Sequence, residues 1–220
     1  RDKLVTGVQT CALPIFTNLL YHIAVTNPNQ NNEKDHIAND FSGASHFFEH
    51  SPKIMKTQMW LFTAYEIYCL FPQIWNPSLD ILPVTSSVIL GFLLAIIGGL
   101  GRIWCFRTLG KFFTFKVTIR DSHKLIQAGP YAYVRHPSYT FATILIIGMF
   151  FIHRRFFNLF ENRLYIDYIF NPVIQIIIFG LGAFIGIKRI RCEEAELSKT
   201  FGNEWLRYVQ KTKRFLPKLI

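Results

Sequence analysis

Apolar positions in this chain gather into runs too continuous for one face of a soluble helix. From Ile81 to Phe106 most residues are apolar or small, and basic residues take over at Arg107. A helix rises 1.5 Å per residue, so about 20 such residues cross a bilayer core. This run is the clearest predicted span. Met59–Trp75 is shorter, rich in aromatics and carries Glu66. A lone carboxylate avoids lipid, so Glu66 is expected to face a helix partner or a cavity. Ser138–Ile152 and Tyr165–Ile187 predict two more helices, joined by the polar segment His153–Arg163. Phe16–Val25 reads as the remnant of another. The pattern predicts an all-α integral membrane protein with about four to five transmembrane helices. Gly98, Gly99 and Gly101 would let one of them pack closely on a neighbour.

The polar stretches divide the chain further. Residues 1–15 interrupt any apolar core with Thr, Gly and Gln; they read as a foreign, adapter-derived segment and stand outside the fold. Residues 16–58 form a polar N-terminal region, with Asn27–Asn32 as loop or disordered chain. Residues 59–220 form one membrane domain. At its end, Glu193–Thr212 predicts an amphipathic helix with Leu197, Phe201, Leu206 and Tyr208 for packing, stopped by Pro217.

Charge narrows the class. Lys and Arg number 24 against 14 Asp and Glu, a net charge of +10. Arg107, Lys111, Lys116, Arg120, Lys124 and Arg135 flank an apolar run, and residues 188–218 are also basic. That placement fits loops beside anionic membrane lipid, not a nucleic-acid surface. Both segments are therefore expected in the cytosol, outweighing Arg154 and Arg155 in the hairpin. The four cysteines lack metal or disulfide spacing, and His36, His46 and His50 are irregularly spaced, so no metal site is expected.

Polar chemistry concentrates at His123–Tyr139. Gly129-Pro130 signals a turn. Pro137 suits the first turn of a helix, so Arg135 and His136 stand at its mouth, where free N–H groups favour anions. Tyr131, Tyr133 and Tyr139 offer aromatic faces that attract cations. Farther on, Arg189 and Glu193 are four apart and share a helix face. They could form a solvent salt bridge, or Arg189 could grip a carboxylate in two parallel hydrogen bonds.

The run from His123 through Leu125, Gly129 and Tyr131 to Arg135-His136-Pro137-Ser138-Tyr139 resembles the cofactor motif of the isoprenylcysteine carboxyl methyltransferases. Arg189–Tyr208, ending near Arg214–Pro217, is similar to that family's second block. The two blocks occur in order around one hydrophobic hairpin. The resemblance implies S-adenosylmethionine as cofactor, in a cytosolic pocket at His123, Lys124, Leu125, Ile126, Tyr131, His136, Pro137, Ser138, Tyr139 and Glu193. It implies substrate binding by Arg189, with Arg189 and Glu193 as the catalytic pair. The implied partners are prenylated C-terminal cysteine proteins or peptides and membrane lipid, in the endoplasmic reticulum. Lys116, Phe141 and Cys192 depart from the family pattern. Versions of Arg-His-Pro-x-Tyr also occur in phospholipid N-methyltransferases, where Glu194 would serve as acid or base, and in NADPH-binding sterol reductases. Both remain alternatives.

Overall fold

The computed structural model describes residues 2–26, 28–29, 36–37, 44–75, 85–113, 118–119, 124–157 and 172–217. Among the described residues six α-helices dominate: α1 (Asp2–Ala24), α2 (Ala44–Trp75), α3 (Ser86–Leu109), α4 (Pro137–Phe157), α5 (Pro172–Phe201) and α6 (Asn203–Lys211). The expectation of an all-α chain holds except for two short strands, β1 (His36–Ile37) and β2 (Thr118–Ile119), paired antiparallel. Residues 2–15, set aside as foreign, are helical within α1. Among the described residues, Ser86–Phe112 is the helical stretch long and apolar enough to cross a membrane. Ala12–Ala24 and Pro137–His153 are shorter apolar helices.

The chain divides into two compact units. The first comprises residues 1–26, 53–102 and 141–162. Its core gathers Tyr21 and Ala24 of α1, Ala95 of α3, and Leu145, Met149 and Ile152 of α4. The close-packing role expected of the glycines is seen here. A Cβ on Gly98 would strike the Leu145 backbone, and one on Gly148 would lie 2.5 Å from the Ala95 nitrogen. Small residues thus let α3 and α4 meet backbone to backbone. Glu66 finds the helix partner expected of it: its Oε1 lies 2.6 Å from His153 Nδ1, with both side chains buried. His153 therefore belongs to α4 and not to a connecting loop. The helix runs on to Phe157 because its polar end is paired inside the unit.

Two more boundaries differ from expectation. α2 begins at Ala44, so part of the polar N-terminal region is helical and continuous with the apolar run that starts at Met59. The predicted amphipathic helix 193–212 is two helices, and this break lies in the second unit, residues 27–52, 103–140 and 163–220. α5 continues unbroken to Phe201, Gly202 turns at φ +47°, and α6 starts afresh. Only glycine adopts that conformation cheaply, so Gly202 sets the break. α6 buries Trp205 and Tyr208 and ends at Lys211, well before Pro217, where Thr212 is already extended.

Candidate active site

The second unit builds its site on a turn, a helix start and a helix end. Gly129, at φ +56°, opens the 3-10 turn Gly129–Ala132, and the Tyr131 N–H closes it on the Ala128 carbonyl at 3.1 Å. The chain then runs beside the C-terminal tail. Val134 bridges Lys213 in parallel, and the N–H groups of Arg135 and His136 donate to the carbonyls of Lys213 and Arg214 at 2.8 and 2.9 Å. Pro137 starts α4, and the N–H groups of Tyr139 and Thr140 turn back to the His136 carbonyl. Backbone donors that the sequence suggested for an anion at His136-Pro137 are thus largely engaged within the chain itself.

Two consecutive carboxylates on α5 divide the side chains. Glu194 is the centre of a clasp. Arg135 Nε donates to its Oε1 at 3.1 Å, His136 Nε2 lies 3.2 Å from the same oxygen, and Arg214 Nη2 donates to Oε2 at 2.6 Å. Arg135 Nη1 also reaches the carbonyls of Val209 and Thr212. Burial alone would raise the Glu194 carboxyl. Hydrogen bonds from His136, Arg214 and Arg135 outweigh it and hold the group at about 2. A carboxylate so held is a poor proton acceptor, which counts against Glu194 as the acid or base that an amine-methylating enzyme would need.

Glu193 faces different partners. The Tyr139 hydroxyl donates to its Oε2 at 3.3 Å and accepts from Arg189 Nε at 2.8 Å. Arg189 and Glu193 are therefore joined through Tyr139, and Arg189 is only 5% exposed. A solvent salt bridge is excluded by that burial. His136 stacks edge-on against Tyr139 at 5.8 Å and lies 6.4 Å from the Phe215 ring. Tyr208 fixes the turn from behind, its hydroxyl donating to the Tyr131 carbonyl at 2.7 Å. Burial chiefly, opposed by the Arg135 charge, pushes that hydroxyl up to about 12, so it stays a neutral donor.

The structure thus gathers His136, Pro137, Ser138, Tyr139, Arg189 and Glu193, with buried Tyr131 in the adjoining turn. Lys124, Leu125 and Ile126 lie in irregular chain leading to that turn. His123 lies outside the described residues. Among those residues no cluster of His, Cys, Asp and Glu could hold a metal ion.

A model of the isoprenylcysteine carboxyl methyltransferase family matches residues 89–199, half of the chain. The chain belongs to this family. Both the turn motif and the Arg189–Glu194 segment fall inside the match. A relative from Saccharomyces cerevisiae (strain ATCC 204508 / S288c), named protein-S-isoprenylcysteine O-methyltransferase, is 28% identical over 214 residues, covering 94% of this chain and 77% of its own. Tyr208, Arg214 and the tail backbone lie beyond the family match, yet they hold the motif in place. Sequence reasoning missed that role. The signals available were the opposite charges of Arg135 in the first block and Glu194 in the second, and the place of Tyr208 and Arg214–Pro217 in that second block.

Proposed function

We propose that this protein methylates the α-carboxylate of a C-terminal prenylated cysteine, forming a methyl ester, with S-adenosylmethionine as donor. The observation that carries the reading is the part-buried chain of hydrogen bonds from buried Arg189 through Tyr139 to Glu193. A guanidinium held away from solvent and oriented at Nε is a planar fork of the kind that holds a carboxylate in two parallel hydrogen bonds. The donor set also fits the cofactor's charges: an anion at Glu193 for the ammonium or ribose, and aromatic faces at Tyr131 and Tyr139 for a sulfonium. When bound, S-adenosylmethionine supplies an electrophilic methyl group.

The protein's own work is placement. The substrate carboxylate is already ionised at neutral pH, so no general base is required. Arg189 binds and orients it. Tyr139 fixes Arg189 and Glu193 relative to each other, which links the substrate side of the site to the cofactor side. The Glu194 clasp and the tail keep Tyr131 and His136 in register, and backbone groups of Lys124 to Ile126 would hold the adenine edge. Orientation of this kind supplies much of the barrier reduction in a two-reactant step. We place the protein in the endoplasmic reticulum membrane, with about four to five spans and the site on the cytosolic side.

The test is methyl transfer from labelled S-adenosylmethionine to farnesylated N-acetylcysteine by the purified protein. Base-labile label in the product, as a methyl ester gives, is expected. Transfer only to phosphatidylethanolamine, or stabilisation by NADPH in place of S-adenosylhomocysteine, would overturn the proposal.

A further inference from the structure

The first unit holds a groove that the methyl-transfer chemistry does not use. It lies between α1 and α2 and is an open surface groove of about 620 Å³. His22 comes from α1, and Lys53, Lys56, Trp60, Leu61 and Ala64 from α2. We propose that this groove binds an anionic membrane phospholipid, gripping its phosphate at Lys53 and Lys56.

Spacing along α2 gives the groove two ends. Positions 53, 56, 60, 61 and 64 fall on one helical stripe. Its N-terminal end is cationic and its continuation, toward the apolar part of α2, is aromatic and aliphatic. α1 runs antiparallel beside it, since Lys56 Nζ donates to Thr26 Oγ1 at 3.2 Å, Trp60 Nε1 to His22 Nδ1 at 3.2 Å, and Asn18 Nδ2 to Thr63 Oγ1 at 3.2 Å. These bonds fix the lysine end of α2 beside the C-terminus of α1. Arg102 donates to the Ala24 carbonyl there at 2.6 Å, which offsets the negative end of the α1 dipole.

The His22 tautomer follows from its partner. The indole N–H can only donate, so Nδ1 accepts and the ring proton sits on Nε2. The groove therefore presents two ammonium groups and an imidazole N–H, all of them donors. Glu66, the carboxylate on the apolar part of α2, is turned instead to His153. A phosphate complements the donors, and acyl chain complements Leu61, Ala64 and the half-exposed Trp60, an indole suited to the membrane interface. Phe16, Leu19 and Ile23 on α1 are also about half exposed, as a helix facing lipid would be. A soluble phosphate would satisfy only the cationic end.

The experiment is thermal unfolding of the full chain in neutral detergent, with short-chain phosphatidic acid, short-chain phosphatidylcholine or inorganic phosphate added. Phosphatidic acid is expected to raise Tm in a saturable way, phosphatidylcholine and inorganic phosphate much less. The rise should shrink in Lys53→Gln and vanish in Lys53→Gln/Lys56→Gln, while Tm without lipid changes little. If the double variant fails to fold, the exposed single Lys53→Gln decides. Equal stabilisation by phosphatidylcholine, a shift reproduced by inorganic phosphate alone, or a shift retained in full by Lys53→Gln would overturn the assignment.

Discussion

Glu193 and Glu194 are neighbours on α5, yet they sit in opposite electrostatic settings. Glu194 is surrounded by Arg135, His136 and Arg214; the first two contacts tie the turn motif to α5 and the third ties the tail to it. Glu193 meets the hydroxyl of Tyr139, which in turn accepts from Arg189. One carboxylate is used up in holding the structure. The other meets the Tyr139 hydroxyl beside the Arg189 guanidinium. The difference teaches that charge density alone does not mark a reactive group: the more heavily bonded acid is the less available one.

That contrast is broken most severely at Glu194. Glu194→Ala leaves two guanidinium groups, Arg135 and Arg214, without their shared anion. Losing charge-assisted hydrogen bonds in such a part-buried cluster costs about 2–3 kcal/mol. In a chain of this size that lowers Tm by roughly 4–12 °C, measurable by thermal unfolding in detergent, and tail proteolysis should rise with it. Loss of activity with no change in Tm would place Glu194 in the chemistry and erase the distinction.

Tyr139→Phe sharpens the comparison from the other side. It deletes the bridge and leaves the clasp untouched. Deleting hydrogen bonds to charged partners costs about 1.5–3 kcal/mol, so kcat/KM for a prenylcysteine should fall roughly 10- to 100-fold. Tm should move far less than in Glu194→Ala. A large Tm loss with retained kcat/KM would make the bridge structural.

A pH series gives a smaller effect. The Glu194 carboxyl is depressed from its usual 4.5 to about 2. Its contribution to stability is therefore complete above about pH 4.5 and is lost as pH falls toward 2. Wild-type Tm should drop more steeply across that window than Tm of Glu194→Gln, whose side chain does not titrate. Parallel curves would show that the clasp is not ionic. Gln127→Ala marks the bottom of the scale. Its exposed bond to Glu204 is 3.3 Å long, and its loss should change stability by about 0.5 kcal/mol or less.

Much of this was legible along the chain. Long apolar runs placed α3 and the first turns of α4 because continuous hydrophobicity needs no tertiary information. Gly98 packed as a small residue does between helices, against the Leu145 backbone. Glu66 announced a partner because a lone buried carboxylate is too costly to leave unpaired. The partner itself was not legible: His153 looked like a loop residue next to Arg154 and Arg155, and only the approach of α2 and α4 pairs it. The α5–α6 break was hidden likewise. Gly202 sits in a pattern that reads as one amphipathic helix, and its positive φ is a tertiary choice. At the site, residue types announced the turn and the helix start. The separation of Glu193 from Glu194 depends on side-chain direction around one helix and on a tail whose backbone pairs with the motif.

The central claim is that Arg189 grips the substrate carboxylate while Tyr139 and Glu193 hold it in place. The direct measurement compares wild type with Arg189→Lys, using farnesylated N-acetylcysteine as substrate and S-adenosylhomocysteine binding as a parallel readout. Lysine keeps the charge and loses the planar fork. The account predicts that kcat/KM falls about a hundredfold, the scale of losing an oriented donor at a reacting oxygen, while the binding constant for S-adenosylhomocysteine stays near wild type. Equal kcat/KM in the two proteins would contradict it and return Arg189 to a purely structural place on α5.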